Sequence, residues 1–292
     1  MKLTHHSEYG VLTSIYLKPA KLGFISQKVI SEQWEELNYL GMPHYETALT
    51  EYAAFKQLIE ATGASIKAFE MDESLTMDSI YCRDASIATD FGVILCAMGK
   101  DSRKKEPDAA KKIYTKNEDR ILGRIEAPGT IEGGDLAWLD DKTLAVGRTY
   151  RTNDSGIEQL SALLQPHGIE VLKVDLPHYK GASDVFHLMS ILSPLDKDLA
   201  VVYSPLMPIS FRELLIERGF ALIEVPDEEF ESMGCNVLAL SPRNCLMVAG
   251  NPITESRIRK AGGKVTTYSG TEISVKGGGG PTCLTRPMLR AI

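Results

Sequence analysis

The sequence predicts an α/β fold built from repeats of one unit, in which two strands, a helix and a third strand follow in order. Apolar strand-like segments alternate with amphipathic ones, turn residues separate them, and similar units begin near residues 79, 134, 186 and 235, a step of about fifty residues. Units of this size are typical of a closed ring of α/β modules or a propeller. An ordinary α/β sandwich, with units alike by chance, is the alternative.

The unit nearest the C-terminus shows the pattern most clearly. Residues 234–240 and 245–249 are predicted strands, joined by a tight turn at 241–244. A helix over 252–261 begins with proline and ends before paired glycines, and a strand over 264–268 follows. The proline and the glycines define both ends of this helix.

The other units follow the same order along the chain. The opening strand, a long helix and a further strand supply most of a fifth unit, which the segment 271–290 is expected to close. No linker rich in Pro, Ser or Gly interrupts the sequence, so we expect one domain over residues 1–292. The main predicted segments are strands 11–17, 65–70, 134–139, 143–146 and 170–174, and helices 45–61, 106–114 and 155–164.

Composition narrows the classes of function. Of 292 residues, 43% are apolar and 24% charged, and the net charge is -7 with both signs interspersed. The one dense basic stretch, Arg103-Lys104-Lys105, is more typical of a solvated helix start than of nucleic-acid binding. The N-terminus lacks a signal-like apolar stretch, and the apolar run 93–98 is too short to span a bilayer. We therefore expect a cytoplasmic protein with neither nucleic-acid nor membrane partners.

Cysteine usage argues against disulfides and zinc. The five cysteines are an odd number, widely spaced, and none forms a CxxC pair. The histidines are scattered as well, so a zinc site is not supported. We expect no metal and no organic cofactor.

The strongest chemical signal is a glycine run ending in a cysteine. Residues 277–280 are four glycines, followed by Pro281-Thr282-Cys283. Glycines allow close approach of the backbone to a ligand, and proline stiffens the segment that follows. Cys283 is therefore a candidate nucleophile. A flexible loop followed by a buried structural cysteine is the alternative.

Three further motifs are weak when taken singly. Residues 131–135 place Glu132 beside paired glycines, which also suits a surface turn. Residues 186–189 place His187 among apolar residues, where core histidines are common. Residues 78–84 bracket a predicted short strand with charged residues.

These motifs share one position, because each lies at or near the start of a repeat unit. Equivalent positions of a closed ring cluster around its axis, so the four side chains are expected to meet in one pocket. Together they would provide a nucleophile, a base and orienting acids for covalent catalysis. They are Asp84, Glu132, His187 and Cys283.

In order and spacing, these four stretches resemble the guanidine-modifying superfamily, or penteins. This group includes dimethylarginine dimethylaminohydrolases, arginine deiminases, arginine dihydrolases and amidinotransferases. The resemblance extends from Val11 to Arg290. It implies a five-bladed pseudo-symmetric α/β propeller of ββαβ repeats, in agreement with the repeats found above.

The resemblance also implies roles for individual residues. Cys283 would be the nucleophile, His187 the general acid/base, and Glu132 the carboxylate that orients the histidine. Acids would grip the guanidinium, arginines would contact the amino-acid end of the substrate, and a residue of a mobile lid would cover it. These implied substrate contacts are Asp84, Asp78, Arg103, Arg151 and Phe24.

One departure bears on the substrate. Arginine deiminases and amidinotransferases carry an Asp two residues after the catalytic histidine, where this chain has Met189. The chain is also too short for the extra helical domain of typical deiminases. Both points favour the dimethylarginine dimethylaminohydrolase side or a short dihydrolase-like relative, whereas the Gly-Gly-Gly-Gly-Pro-Thr-Cys ending is closer to deiminases.

The function implied is hydrolysis of a C–N bond in a small guanidino substrate. Arginine or an N-methylated arginine would give citrulline plus ammonia or an amine through a covalent S-alkylthiouronium on the cysteine. An arginine deiminase, a dihydrolase or an amidinotransferase remains an alternative, as does a non-catalytic binding protein of the same fold. A homodimer is left open.

Overall fold

A computed structural model describes residues 1–292 and arranges the strands in five small sheets. The strands are β1 (Leu3–Thr4), β2 (Val11–Leu17), β3 (Ser65–Ala68), β4 (Ser86–Ile87), β5 (Val93–Leu95), β6 (Ile121–Arg124), β7 (Leu136–Trp138), β8 (Thr143–Arg148), β9 (Glu170–Asp175), β10 (Leu192–Asp196), β11 (Leu199–Val202), β12 (Ala221–Glu224), β13 (Leu238–Ser241), β14 (Asn244–Val248), β15 (Lys264–Tyr268) and β16 (Thr285–Ala291).

The helices connect strands within and between these sheets. They are α1 (Ala20–Gly23), α2 (Gln27–Gln33), α3 (Tyr45–Glu60), α4 (Glu106–Lys116), α5 (Asp154–Leu164), α6 (Ile209–Glu217), α7 (Asp227–Phe230) and α8 (Pro252–Lys260). None of them combines the length and the apolar character that a membrane span would require.

Each sheet repeats one topology. In four of them two consecutive strands pair antiparallel, a helix follows, and a third strand pairs parallel to the second; β7, β8, α5 and β9 are one example. The fifth sheet has the same plan but joins the two ends of the chain, because β16 pairs antiparallel with β2 and β2 pairs parallel with β3. The predicted five-bladed α/β propeller of ββαβ repeats is confirmed.

The core lies between neighbouring sheets and beneath their helices. The central strand β11 (Leu199–Val202) is buried on both faces, as is expected when packed elements cover both sides of a sheet. Leu215 of α6 and Met247 of β14 belong to the same apolar cluster as this strand. Adjacent blades therefore share one packed interior.

Short helical turns precede the first strand of several blades. Residues 77–80, 133–135 and 188–190 form single 3₁₀ turns before β4, β7 and β10. The sequence predicted strand near 79–83 and a unit start at 186–189, so the first strands begin later than expected. In the second case the Ser190 hydroxyl accepts the His187 backbone N–H at 3.1 Å, and this local bond favours a turn at this point of the chain.

Candidate active site

In each of the five blades, one residue that lies two to five positions before the first strand is found at or against the same cavity. This position is occupied by a different residue in each blade: Asp84, Glu132, His187, Asn236 and Cys283. Four of them line a cavity of about 310 Å³, and Glu132 contacts it through His187. The repeated topology thus brings together residues that are far apart in the chain.

Glu132 and His187 form a buried pair. The imidazole Nε2 lies 2.9 Å from Glu132 Oε2, and Glu132 is 0% exposed. Its other oxygen accepts the Lys100 backbone N–H at 3.0 Å and lies 3.6 Å from Arg151 Nη1. Burial opposes ionisation, but His187 and Arg151 hold the pKa of Glu132 below its usual range.

The same contacts determine the protonation state of the His187 imidazole. Burial disfavours the charged ring, but Asp135, Glu132 and Asp84 together raise the pKa of His187 to about 9. His187 is therefore protonated at neutral pH, with Nε2–H donating to Glu132. A Cβ on Gly134 would approach His187 Nδ1 to 2.4 Å, so only glycine fits beside the ring.

Cys283 is the one cysteine of the five that is not fully buried. The Asn236 amide nitrogen lies 3.5 Å from its Sγ, and Asn236 Oδ1 accepts the Thr282 backbone N–H at 3.0 Å and hydroxyl at 2.9 Å. Burial and the nearby Asp84 raise the pKa of the Cys283 thiol to about 11. The sulfur therefore carries its proton at neutral pH in the absence of a cation.

Asp84 belongs to a buried ion-pair cluster. Its Oδ1 accepts the Gly134 backbone N–H at 2.8 Å, and its Oδ2 accepts Arg103 Nη1–H at 2.6 Å. Arg103 also donates to both oxygens of Glu106, each at 2.8 Å, and to the Tyr81 carbonyl at 2.8 Å. Arg103 lines the cavity, but most of its donors are committed to these partners.

The other implied contacts line the cavity as well. Asp78 Oδ2 accepts from Lys100 Nζ at 2.6 Å, and that ammonium also donates to the Leu37 carbonyl at 2.9 Å. Arg151 Nη1 is buried without a hydrogen-bond partner, and Nη2 reaches the Asp184 carbonyl only at 3.5 Å. Arg151 thus keeps donors available for a ligand.

Phe24 lies elsewhere. The expected lid at 22–24 is instead the end of α1 and the residue after it, and Phe24 is 0% exposed within an apolar cluster that includes Ile80. Gly23 packs so closely that a Cβ there would lie 3.2 Å from Ile80 Cβ. This tight packing keeps Phe24 out of the cavity lining, and its contact with a substrate stays a prediction.

Several cavity residues were missed from the sequence. Lys100 and Asn236 contact the predicted acids and the thiol, and Asp184 and Glu231 lie at the cavity wall. Asn236 could have been found from its position, because it precedes the first strand of its blade as the other four do. Lys100 offers no such signal, since nothing in its sequence context predicts a partner at Asp78.

The cavity also contains a group of potential metal ligands. Ligand atoms of Asp84, Glu132 and His187 lie within 4.8 Å of one another. These atoms are engaged with each other, with Arg103 and with Gly134. The cluster is therefore already neutralised by cationic partners within the protein.

Comparison with known proteins places this geometry in a family. The family model for eukaryotic N,N dimethylarginine dimethylhydrolase matches residues 22–290. Dimethylarginine dimethylaminohydrolase from Pseudomonas aeruginosa is 29% identical over 247 residues, which cover 85% of this chain and 91% of that protein. Arginine deiminase from Mycoplasma capricolum is 26% identical over 314 residues, covering 91% of this chain and 76% of that protein.

Solved structures show the same fold. The P. aeruginosa dimethylarginine dimethylaminohydrolase, as a cysteine-to-serine variant complexed with citrulline, superposes with a TM-score of 0.76 at 24% identity. The match covers 94% of this chain and 99% of that one. The chain therefore belongs to the dimethylarginine dimethylaminohydrolase family of the guanidine-modifying pentein superfamily.

Proposed function

We propose that this protein hydrolyses a C–N bond of arginine or an N-methylated arginine, giving citrulline and an amine or ammonia, with Cys283 as nucleophile. The observation that carries the proposal is the composition of one cavity. A partly accessible thiol, a histidine paired with a buried glutamate, and the carboxylates Asp84 and Asp78 all lie in or against it.

Substrate binding follows from the charges. A planar guanidinium cation pairs with carboxylates through charge-assisted hydrogen bonds, and Asp84 and Asp78 supply them. Each carboxylate oxygen accepts from more than one donor, so Asp84 can bind a substrate while it keeps Arg103. Arg151, whose buried Nη1 has no hydrogen-bond partner, would bind the carboxylate end of the substrate.

Activation of the thiol depends on the bound cation. Burial and Asp84 raise the pKa of Cys283, so the free protein holds a thiol. A guanidinium close to Sγ favours the thiolate, and the thiol proton passes to solvent as the substrate binds. Nucleophile formation is then coupled to binding.

The chemistry proceeds in two halves. The thiolate forms an S–C bond to the guanidinium carbon, and His187 donates a proton to the departing nitrogen as its C–N bond breaks, leaving an S-alkylthiouronium. His187 then accepts a proton from water, which attacks the same carbon. The S–C bond breaks, and a urea group and the cysteine are released.

Met189 favours an N-methylated substrate. It lines the cavity two residues after His187, where a carboxylate would accept hydrogen bonds from an unsubstituted guanidinium nitrogen. A thioether cannot accept them well, but it packs against methyl groups. Replacement of the acid therefore lowers the advantage of arginine and suits N-methyl groups.

A panel of guanidino compounds tests the proposal. Arginine, monomethylarginine, asymmetric dimethylarginine and agmatine would be incubated with the protein, and products identified by mass spectrometry, with the Cys283→Ser variant as control. We expect citrulline and a methylated amine to form fastest. No turnover of any compound would refute the proposal.

Arginine deiminase activity is the second candidate, and the relative from M. capricolum favours it. The same panel separates the two, because a deiminase releases ammonia from arginine and prefers it to methylated forms. Product formation that depends on added glycine would indicate an amidinotransferase. Iodoacetamide labelling of Cys283 that no arginine analogue prevents would favour a non-catalytic binding protein.

A further inference from the structure

A second, smaller cavity adjoins the first across the chain segment at Arg83 and Asp84. Asp84 lines the cavity of the candidate active site, whereas its neighbour Arg83 lines the second cavity. Likewise, Cys283 lines the first cavity and Arg286 lines the second. The second cavity has a volume of about 20 Å³, and the half-buried His5 and Pro287 lie at its edge.

Positive charge exceeds negative charge around this cavity. Arg83 and Arg286 line it and are only 2% and 5% exposed, and Arg290, which is 1% exposed, lies outside the lining. Arg83 Nη2 donates to both oxygens of Glu8, at 3.0 and 2.9 Å, and Glu8 is the one acid in the lining. Arg286 and Arg290 form no ion pair, although Arg290 donates to the Gly10 carbonyl at 2.7 Å.

The same three guanidinium groups have buried N–H groups without acceptors. Nε and Nη1 of Arg83, Nε of Arg286, and Nε and Nη2 of Arg290 make no hydrogen bond. Arginine does not deprotonate in proteins, so this charge persists in the interior. Burial and the neighbouring Arg83 lower the pKa of Arg286 to about 10, in keeping with an unbalanced positive cluster.

Water alone does not balance this arrangement. A water molecule can accept N–H groups, but it brings no negative charge, and buried charges without a counter-charge are strongly destabilising. An anion supplies both the acceptor and the charge. The volume limits its size, since about 10–15 Å³ of such space accommodates a single water-sized sphere.

We propose that the second cavity is a binding site for one small monovalent anion of the halide class, held between the guanidinium groups of Arg83 and Arg286. Phosphate, sulfate and organic carboxylates are too large for the space. The ion would bind the folded chain and not the unfolded one, and would therefore stabilise the fold by mass action.

Thermal unfolding in matched salts tests this proposal. The purified protein would be unfolded in sodium chloride and in sodium gluconate at equal ionic strength, because gluconate cannot enter the cavity. Above the dissociation constant, we expect the Tm to rise by about 2–4 °C for each tenfold increase in chloride. Equal Tm values in both salts at every concentration would overturn the proposal.

Two variants, one that removes a positive charge and one that removes a negative charge, test whether the chloride effect on Tm arises at this cavity. Arg286→Gln removes a positive charge and should abolish the chloride-dependent rise in Tm, whereas Glu8→Gln removes the only acid and should enlarge it. Arg120→Gln changes an exposed arginine outside the cavity and should respond as the wild type does. A response that persists in Arg286→Gln would overturn the assignment.

Crystals of the wild-type protein grown in sodium bromide provide a measurement that needs no variant. We expect an anomalous-scattering peak in contact with the guanidinium groups of Arg83 and Arg286. Ordered water there, with bromide only on the surface, would refute the site. A peak without any chloride-dependent Tm would mean an adventitious ion only, and would also overturn the proposal.

Discussion

Two groups of buried arginines lie on either side of the Arg83–Asp84 segment, and they differ in how they are compensated. Arg103 donates to two carboxylates, Asp84 and Glu106, so this cluster carries an excess of acid. Arg83 shares its cluster with two further arginines and one acid, Glu8. The first cluster, here called the acidic side, pairs one arginine with two acids, whereas the second, the basic side, leaves Arg286 and Arg290 without an ion pair.

The thiol gives the largest expected effect on the acidic side. Cys283→Ser should lower turnover by about 10⁴-fold or more, because a hydroxyl is a far weaker nucleophile at neutral pH. Steady-state kinetics on the substrate found in the panel measures the loss. Cys245→Ala, at a buried position outside the cavity, should retain turnover. Full activity of the serine variant would disprove the assigned nucleophile.

Glu132→Gln should lower kcat by about 10²–10³-fold with little change in KM, because a neutral amide no longer supports the imidazolium. The descending limb of the pH–rate profile should move to lower pH as the pKa of His187 falls. Glu106→Gln is the matched control, since Glu106 is a buried acid that does not contact His187. A rise in KM at constant kcat would contradict the orienting role.

Arg103→Gln tests the compensated cluster. It leaves Asp84 and Glu106 without their cation, and breaking such a buried pair typically costs about 3–5 kcal/mol. Burial already raises the pKa of Glu106 to about 7, so this acid can take up a proton and offset part of the loss. Urea unfolding at pH 7.5 would measure the loss of stability. An unchanged midpoint would show that the ion pairs of Arg103 do not stabilise the fold.

The pH dependence of stability is a further test on the acidic side. The folded-state pKa of His187, about 9, exceeds its unfolded value near 6.5, so its contribution is complete below pH 6.5 and is lost as the pH rises towards 9. We expect the unfolding free energy to fall by about 2–3 kcal/mol between pH 6.5 and 8.5. His187→Gln should remove this slope, and His178→Gln, at an exposed site, should leave it.

The smallest effect is expected on the basic side. Arg290→Met removes a buried charge that has no acid partner, and it replaces the side chain by an apolar one of similar length. The unfolding free energy in gluconate should change by less than about 1 kcal/mol or increase, because the lost Gly10 hydrogen bond is offset by relief of repulsion. A loss of unfolding free energy comparable to that in Arg103→Gln would show that the two clusters do not differ in how their charges are compensated.

The sequence predicted the repeating elements well because each has its own signals. The helix expected over 155–164 spans Asp154–Leu164, with Asn153 as its cap, and the strand expected over 264–268 is Lys264–Tyr268. Apolar spacing, caps and glycines are local properties of the chain. The short turn at 188–190 was not predicted, because it is capped by a side-chain bond between Ser190 and the His187 backbone that apolar periodicity does not encode.

The sequence predicted which residues occupy equivalent positions at the site, but not the hydrogen bonds and ion pairs that connect them. Cys283, His187 and Asp84 meet because the repeat places them there. The use of Arg103 as an internal partner of Asp84, and the pairing of Lys100 with Asp78, arise from side-chain directions across blades. Sequence periodicity carries no information about such directions, and it did not indicate that Phe24 would be buried in an apolar cluster.

Ring closure also positions the candidate nucleophile. Cys283 lies two residues before β16, and β16 pairs with β1 and β2 from the other end of the chain. During synthesis the acids and the histidine emerge before the cysteine, and a nascent or clipped chain lacking β16 would retain Cys283 without the strand pairing that holds this residue beside the cavity. We therefore expect removal of β16 to lower the proposed activity more than most changes inside a single blade, because it releases Cys283 from its place between the two ends of the chain.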